Sequence, residues 1–226
     1  MIPLNLQMIG RFGNCCFQYL HARAIAERDG LELRTPRWVG EKIFQIEPTA
    51  EPDYSGDYLH GYFQNQESAI YTRTQAREWF RFQPWVEELF DHLKPSPETI
   101  VAHRRVGDLI GYGYPTISLE SYRSACFTYD LDESKMCFVA EDHPTFVLRT
   151  PLNILFLPDF YIMCKAKTLL RANSSFSWMA GTLTDGEVFS PVIDDLEGGE
   201  HLCKFVKGNH PKLCSLEGFT DIHLKP

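Results

Sequence analysis

Long apolar runs are missing from this 226-residue chain. No stretch approaches the roughly 20 consecutive apolar residues that a membrane-spanning helix needs. The first ten residues, M-I-P-L-N-L-Q-M-I-G, carry neither the basic start nor the long apolar core of a secretory signal. A cytoplasmic protein without an integral membrane segment is expected. Basic residues are also scarce, 22 against 30 acidic ones for a net charge of -8, which argues against binding nucleic acid by phosphate neutralisation. An anionic small molecule would have to be held by a few placed cations. The seven cysteines form no C-x-x-C pair, and their odd number fits reduced thiols better than a disulfide framework or a zinc site. Clustered His and Cys ligands are absent as well, so neither a metal nor a cofactor is expected.

What is present is a globular composition, 44% hydrophobic and 23% charged, in a chain long enough for one large domain or two small ones. The chemistry concentrates in Thr99 to Ile110, T-I-V-A-H-R-R-V-G-D-L-I. Ile100, Val101 and Ala102 have the length and content of a buried strand, and the segment then turns abruptly to His103, Arg104, Arg105, Val106, Gly107 and Asp108. Open α/β sheets bind ligands outside the carboxyl ends of their strands, so charge delivered there points to a crevice. Two adjacent arginines can equally be a solvated turn paired with nearby carboxylates. Arg105 is the leading candidate for a functional cation.

At the start of the chain Ile2, Leu4, Leu6 and Met8 alternate with polar or small residues, a period-two strand. Gly10-Arg11-Phe12-Gly13-Asn14 follows, then a helix to Asp29 with Phe17, Leu20 and Ala24 on one face and Gly30 as its stop. Leu31 to Leu33 supplies the next strand. Strand, glycine turn and helix form the first unit of a Rossmann-like half, in which glycines admit a ligand and the helix start offers free N–H groups. Arg73 to Leu93 reads as aromatic-rich helix interrupted by Pro84. Lys94-Pro95-Ser96-Pro97 is the best linker, dividing the chain into residues 1–95 and 96–226.

In the second half a helix is expected over Ser118 to Cys126, strands over Met136 to Ala140, Ile154 to Phe156 and Leu169 to Ala172, and a helix from about Phe160 to Lys167. Glu141-Asp142 puts carboxylates at a strand end, readable as a metal pair, an acid/base pair or a helix start before Pro144. Asn173-Ser174-Ser175 caps a helix beginning near Phe176, and its hydroxyls and free N–H groups make a phosphate seat. The segment from Thr184 to Pro226 has no assignment beyond a strand end at Val188 to Pro191.

Four blocks, read together, resemble the α1,2-, α1,6- and protein O-fucosyltransferase superfamily, and within it the α1,2-fucosyltransferases. They are G-R-F-G-N-C-C-F-Q-Y from Gly10, G-Y-F-Q from Gly61, H-R-R-V-G-D from His103, and D-F-Y-I-M followed by A-N-S-S-F-S-W from Ala172. The chain departs from the pattern at Cys15-Cys16, where Gln-Leu is usual, at Val106, where many members carry a second arginine, and at Met179, where a second tryptophan is usual. The resemblance implies a GT-B architecture, α/β with two Rossmann-like halves facing across a cleft. It implies transfer of L-fucose from GDP-fucose to a glycan hydroxyl, with inversion and without metal. On the donor side it implies Arg105 and His103 at the diphosphate with Asp108, Asp142 at the guanine, and Ser174, Ser175 and Phe176 at the helix start. Gly10, Gly13, Asn14 and His60 fall on the acceptor side, where Asn14 orients the hydroxyl rather than acting as base. Two other readings stay open, a nucleotide-sugar-binding protein without turnover and a flavodoxin-like or thiol redox protein using Cys15 and Cys16.

Overall fold

A short parallel pair opens the chain. β1 (Pro3–Asn5) and β2 (Glu32–Arg34) pair in register Leu4 to Leu33, joined by helix α1 (Phe12–Asp29). Gly30 ends α1 in the left-handed region (φ 65°), where its N–H reaches the carbonyl of Ala26. Phe17, Leu20 and Ala24 are buried, as the helical period requires, and fully burying Phe17 or Leu20 contributes about 1.5–3 kcal/mol each. Leu59 adds a parallel bridge to Leu6, just past the carboxyl end of β1. This computed structural model describes residues 2–65, 68–106, 109, 113–140, 154–193, 197–210 and 213–214. It divides into two units, one ending at Leu89 and the other beginning at Phe90, shortly before the proline-bearing linker.

The aromatic segment around Pro84 is two helices rather than one. α3 (Arg73–Trp79) follows α2 (Gly40–Ile43) and starts from a capping box in which Thr72 and Gln75 satisfy each other's backbone N–H groups. α4 (Pro84–Phe90) begins on Pro84, whose missing N–H costs nothing at a first helical position. Phe44 bridges to Phe82 and stacks on Phe80 at 4.5 Å, and Phe80 stacks on Tyr19 at 5.6 Å, so the aromatics form the core of the first unit.

The second unit is a doubly wound sheet. β3 (Ile100–Arg104) pairs in parallel with β5 (Met136–Ala140) on one side and with β6 (Thr168–Leu170) on the other, and β7 (Glu187–Ile193) extends the sheet beyond β6. Ile100 and Ala102 pack with Tyr122, Ala125 and Cys126 of α5 (Leu119–Thr128) and with Phe205 of β9 (Lys204–Lys207), which runs antiparallel to β7. α6 (Leu157–Lys165) and α7 (Ser175–Leu183) pack against each other, and α6 also packs on β3. β4 (Pro115–Ile117) pairs with β8 (Gly199–His201) outside the main sheet, and the backbone of β10 (Leu213–Cys214) pairs with the end of β7.

Two expectations need correction. Ile154 to Phe156 is a turn into α6 rather than a strand, because Pro158 presets helical φ in the first turn and draws the helix start back to Leu157. The stretch after Thr184, expected to hold only a strand end at Val188 to Pro191, supplies four strands among the described residues. Among the described residues no helix is long and apolar enough to cross a membrane.

Ser121, fully buried in α5, fastens the β8–β9 connection: its Oγ accepts the N–H of Cys203 at 2.8 Å. Ser121→Ala is expected to destabilise by about 1–3 kcal/mol, the cost of stranding a buried donor. Urea unfolding checks this, and an unchanged midpoint would show that the connection is held by other contacts.

Candidate anion-binding site

β3 is the first strand of its sheet, its second and third neighbours in sequence lie on opposite sides, and the crossover from β5 to β6 therefore passes over it. The strand order reverses between β3 and β6, and ligands of open α/β sheets bind outside the carboxyl ends of the strands at such a point. The residues delivered there are His103, Arg104 and Arg105 from β3, and Arg171 to Ser175 from the turn between β6 and α7.

His103 is 4% exposed, and its backbone carbonyl accepts the hydroxyl of Tyr122 at 2.7 Å. Its ring lies 5.8 Å from that of Phe176 in the first turn of α7. Among the described residues Nδ1 is buried with no hydrogen-bond partner. Burial, and then the charge of Arg105, pull the imidazole pKa down to about 3. The ring is therefore neutral at ordinary pH and suited to hydrogen bonding rather than to taking up a proton. Arg104, on the other side of the strand, pairs with Glu200 of β8 at 3.3 Å. Arg105 is half-buried just past the end of β3.

Opposite β3, Ser174 caps α7 from an extended conformation, and its Oγ accepts the N–H of Phe176 at 3.2 Å. No acidic residue occupies the first turn, so nothing within the helix offsets the positive end of its dipole beside Ser175. The strand-order reversal thus brings together a helix start, two hydroxyls, the Arg105 cation and a buried His103 nitrogen with no partner among the described residues. Anionic oxygen is what such a set attracts.

Asp159 was not legible as a site residue. It sits in the first turn of α6, whose Phe156 and Phe160 rings lie 5.8 and 5.2 Å from Phe176, and it makes no hydrogen bond or ion pair among the described residues. Burial raises its carboxyl to about 6. Asp108 and Asp142 lie outside the described residues.

The acceptor-side candidates belong to the first unit. Asn14, in the first turn of α1, accepts the Gln64 amide at 2.9 Å. Gly10 has φ 82°, and a Cβ there would run into the Asn14 side chain, so glycine is required on both counts. Gln18, also within the G-R-F-G-N block, is wholly buried and clamps both backbone groups of Ile9, at 3.0 and 3.1 Å. Gly13 is buried in α1, and His60 is exposed beside Tyr58. Cys15 is half-buried with its thiol pKa raised by burial, and Cys16 is fully buried, conditions that disfavour the thiolate a redox pair needs. The chain's one Asp-x-Asp triplet, Asp130-Leu131-Asp132, lies on a turn where Asp132 accepts the N–H and hydroxyl of Ser134.

The strand order defines a doubly wound α/β unit, and the residues at its point of reversal form a candidate site for an anionic ligand. No protein-family model matches the chain, and no curated protein matches it. Among solved structures the chain is similar to NodZ alpha-1,6-fucosyltransferase co-crystallised with GDP, at 14% identity and a TM-score of 0.53 over 91% of this chain and 98% of that one. The same enzyme soaked with GDP-fucose aligns at 13% identity, a TM-score of 0.52 and the same coverage. Selenomethionine fucosyltransferase NodZ from Bradyrhizobium aligns at 14% and 0.50, again over 91% and 98%. The chain shares the fold of these fucosyltransferases.

The two shifted groups act oppositely on stability. Between pH 3 and 6.5 the unfolded chain holds a proton on His103 that the folded chain does not, so His103 removes stability as pH falls, by up to about 1.4 kcal/mol per pH unit. Between 3.8 and 6 the folded chain holds the extra proton on Asp159, so Asp159 adds stability as pH falls. Asp159→Asn should therefore steepen the loss of stability from pH 6 to 4, and His103→Asn should flatten or reverse it. Urea unfolding across that range checks both, and parallel profiles for all three proteins would refute the assignment.

Proposed function

We propose that the chain is an inverting fucosyltransferase that moves L-fucose from GDP-fucose to a glycan hydroxyl, with an α1,2 linkage as the product. The supporting observation is the convergence of Arg105, His103 and the Ser174–Ser175 helix start at the strand-order reversal, within a fold shared with enzymes crystallised with GDP and GDP-fucose. The α1,2 linkage rests on the sequence blocks, since the similar solved enzymes are titled as alpha-1,6 transferases. In this reading the two halves form a GT-B pair with the donor in the second. Asp142 holds the guanine. Arg105, assisted by Asp108, meets the diphosphate, and neutral His103 supplies a hydrogen bond beside it.

As the anomeric C–O bond to the β-phosphate breaks, negative charge builds on the departing GDP. Arg105 and the N–H groups and hydroxyls at the start of α7 stabilise that charge where it develops, without having to reorganise. The acceptor oxygen attacks the opposite face of the sugar, which inverts the centre, and its hydroxyl proton is released alongside GDP. Asn14, fixed by Gln64, orients the acceptor hydroxyl, with Gly10, Gly13 and His60 shaping that side. No metal is needed, because the charge neutralisation comes from the protein.

GDP at 100 times its dissociation constant should stabilise the folded protein by about 2.7 kcal/mol, a clear rise in melting temperature. GMP should do much less for want of the β-phosphate, and UDP little. Equal shifts from UDP and GDP would refute the guanine assignment, and no shift from either would refute the nucleotide-sugar reading.

Arg105→Ala should lose about 2.7–4 kcal/mol of transition-state stabilisation with folding unchanged, and transfer by the parent should survive excess EDTA. Near-normal turnover in the variant would remove Arg105 from the mechanism. Loss of activity in EDTA with rescue by manganese or magnesium would establish a metal.

A further inference from the structure

The segment after β9 closes onto the anion site from behind. Arg171, three residues ahead of the α7 cap, is wholly buried, and its Nε donates to Ser190 Oγ of β7 at 2.8 Å. One terminal nitrogen donates to the backbone carbonyl of His210, and the guanidinium lies 5.6 Å from the ring of Trp178 in α7. Ser190 Oγ has its full complement of partners. It accepts from Arg171 and from the His210 N–H at 3.0 Å, and it donates to the Gly208 carbonyl at 2.7 Å. The same segment grips α7 directly, since Asn209 Nδ2 donates to the Trp178 carbonyl at 3.2 Å and to Thr182 Oγ1 at 3.0 Å. Gly181 leaves room for this contact, because a Cβ there would stand 2.6 Å from Asn209 Oδ1.

We infer that Arg171 is a positioning residue for the anion seat, and that Gly208 to His210 form a latch fixing the turn from β6 and the first turn of α7. A loop of four residues, Arg171 to Ser174, carries the capping serine and the approach to the free N–H groups. Pinning its first side chain to β7 and to the latch sets where those groups point. The guanidinium also keeps a positive charge close behind the helix start. Burial lowers its pKa to about 9, yet guanidinium retains its proton in proteins, so the charge is expected to persist. The alternative, that Arg171 only fills the core, predicts no preference between ligands with and without phosphate. The ligand named here, a nucleoside diphosphate, rests on the proposed function; the latch itself does not.

The test compares parent, Arg171→Met and Asn209→Ala by hydrogen exchange and by binding of GDP and of guanosine. Exchange of amides at 175–179 and 208–210 should accelerate together in Arg171→Met and, more mildly, in Asn209→Ala. GDP affinity should fall about tenfold, within the range by which residues remote from a ligand modulate its binding, while guanosine affinity stays within about twofold. Equal losses for both ligands, or unchanged exchange in α7, would overturn the inference. Should Arg171→Met fail to fold, Asn209→Ala decides by the same pattern. A parent that binds no GDP would overturn the nucleotide reading alone, and coupled exchange at the two segments would still establish the latch.

Discussion

The constraint on which the second unit depends is that β3 is hydrogen-bonded on both sides, to β5 and to β6. A strand so placed is buried on both faces, which is why Ile100, Val101 and Ala102 are wholly or almost wholly inaccessible. It must then release its charged end where the sheet stops. His103 lies at that limit, still buried but with one nitrogen unsatisfied among the described residues, and Arg105 lies just beyond it. Helices α6 and α7 start at the same edge because each precedes a parallel strand and runs back along the sheet. The positive start of α7 and the cations of β3 are thus consequences of one topology.

That edge is built against the protein's own stability. A neutral imidazole buried without a partner among the described residues and a half-buried carboxyl both cost free energy, and a better-packed apolar pair would remove the cost. Residues held in that way mark functional sites more often than cores do, though structural ion networks shift pKa values too. Here the two groups lie on different elements, β3 and α6, whose His103 and Phe160 rings both pack on the ring of Phe176.

Much of this was legible in the sequence, for reasons that differ by region. β1, α1 and β2 are local objects: alternation, a helical face and Gly30 specify them without reference to the rest of the chain. The charged end of β3 and the cap at Ser174 were legible because strand-to-charge and Asn-Ser-Ser-to-apolar transitions are also local. Ile154 to Phe156 misled because three apolar residues satisfy a strand and a helix entry equally, and Pro158 decides between them. Asp159 could not be singled out, since its burial is made by tertiary packing that no local pattern reveals. Arg171 was equally hidden: its partners, Ser190 and His210, lie 19 and 39 residues away. β8 and β9 are too short to carry a pattern of their own.

The pairing of β4 with β8 brings together chain segments more than 80 residues apart, and Arg104 meets Glu200 across 96. Closing loops of that length must precede any reward from the contacts they bring, so the second unit belongs among slowly folding topologies. On a ribosome β3, β5, β6 and α7 all emerge before β9 and Asn209 do. The nascent sheet therefore waits with one face of α7 uncovered, and the grip on that helix is completed only by residues that leave the tunnel late.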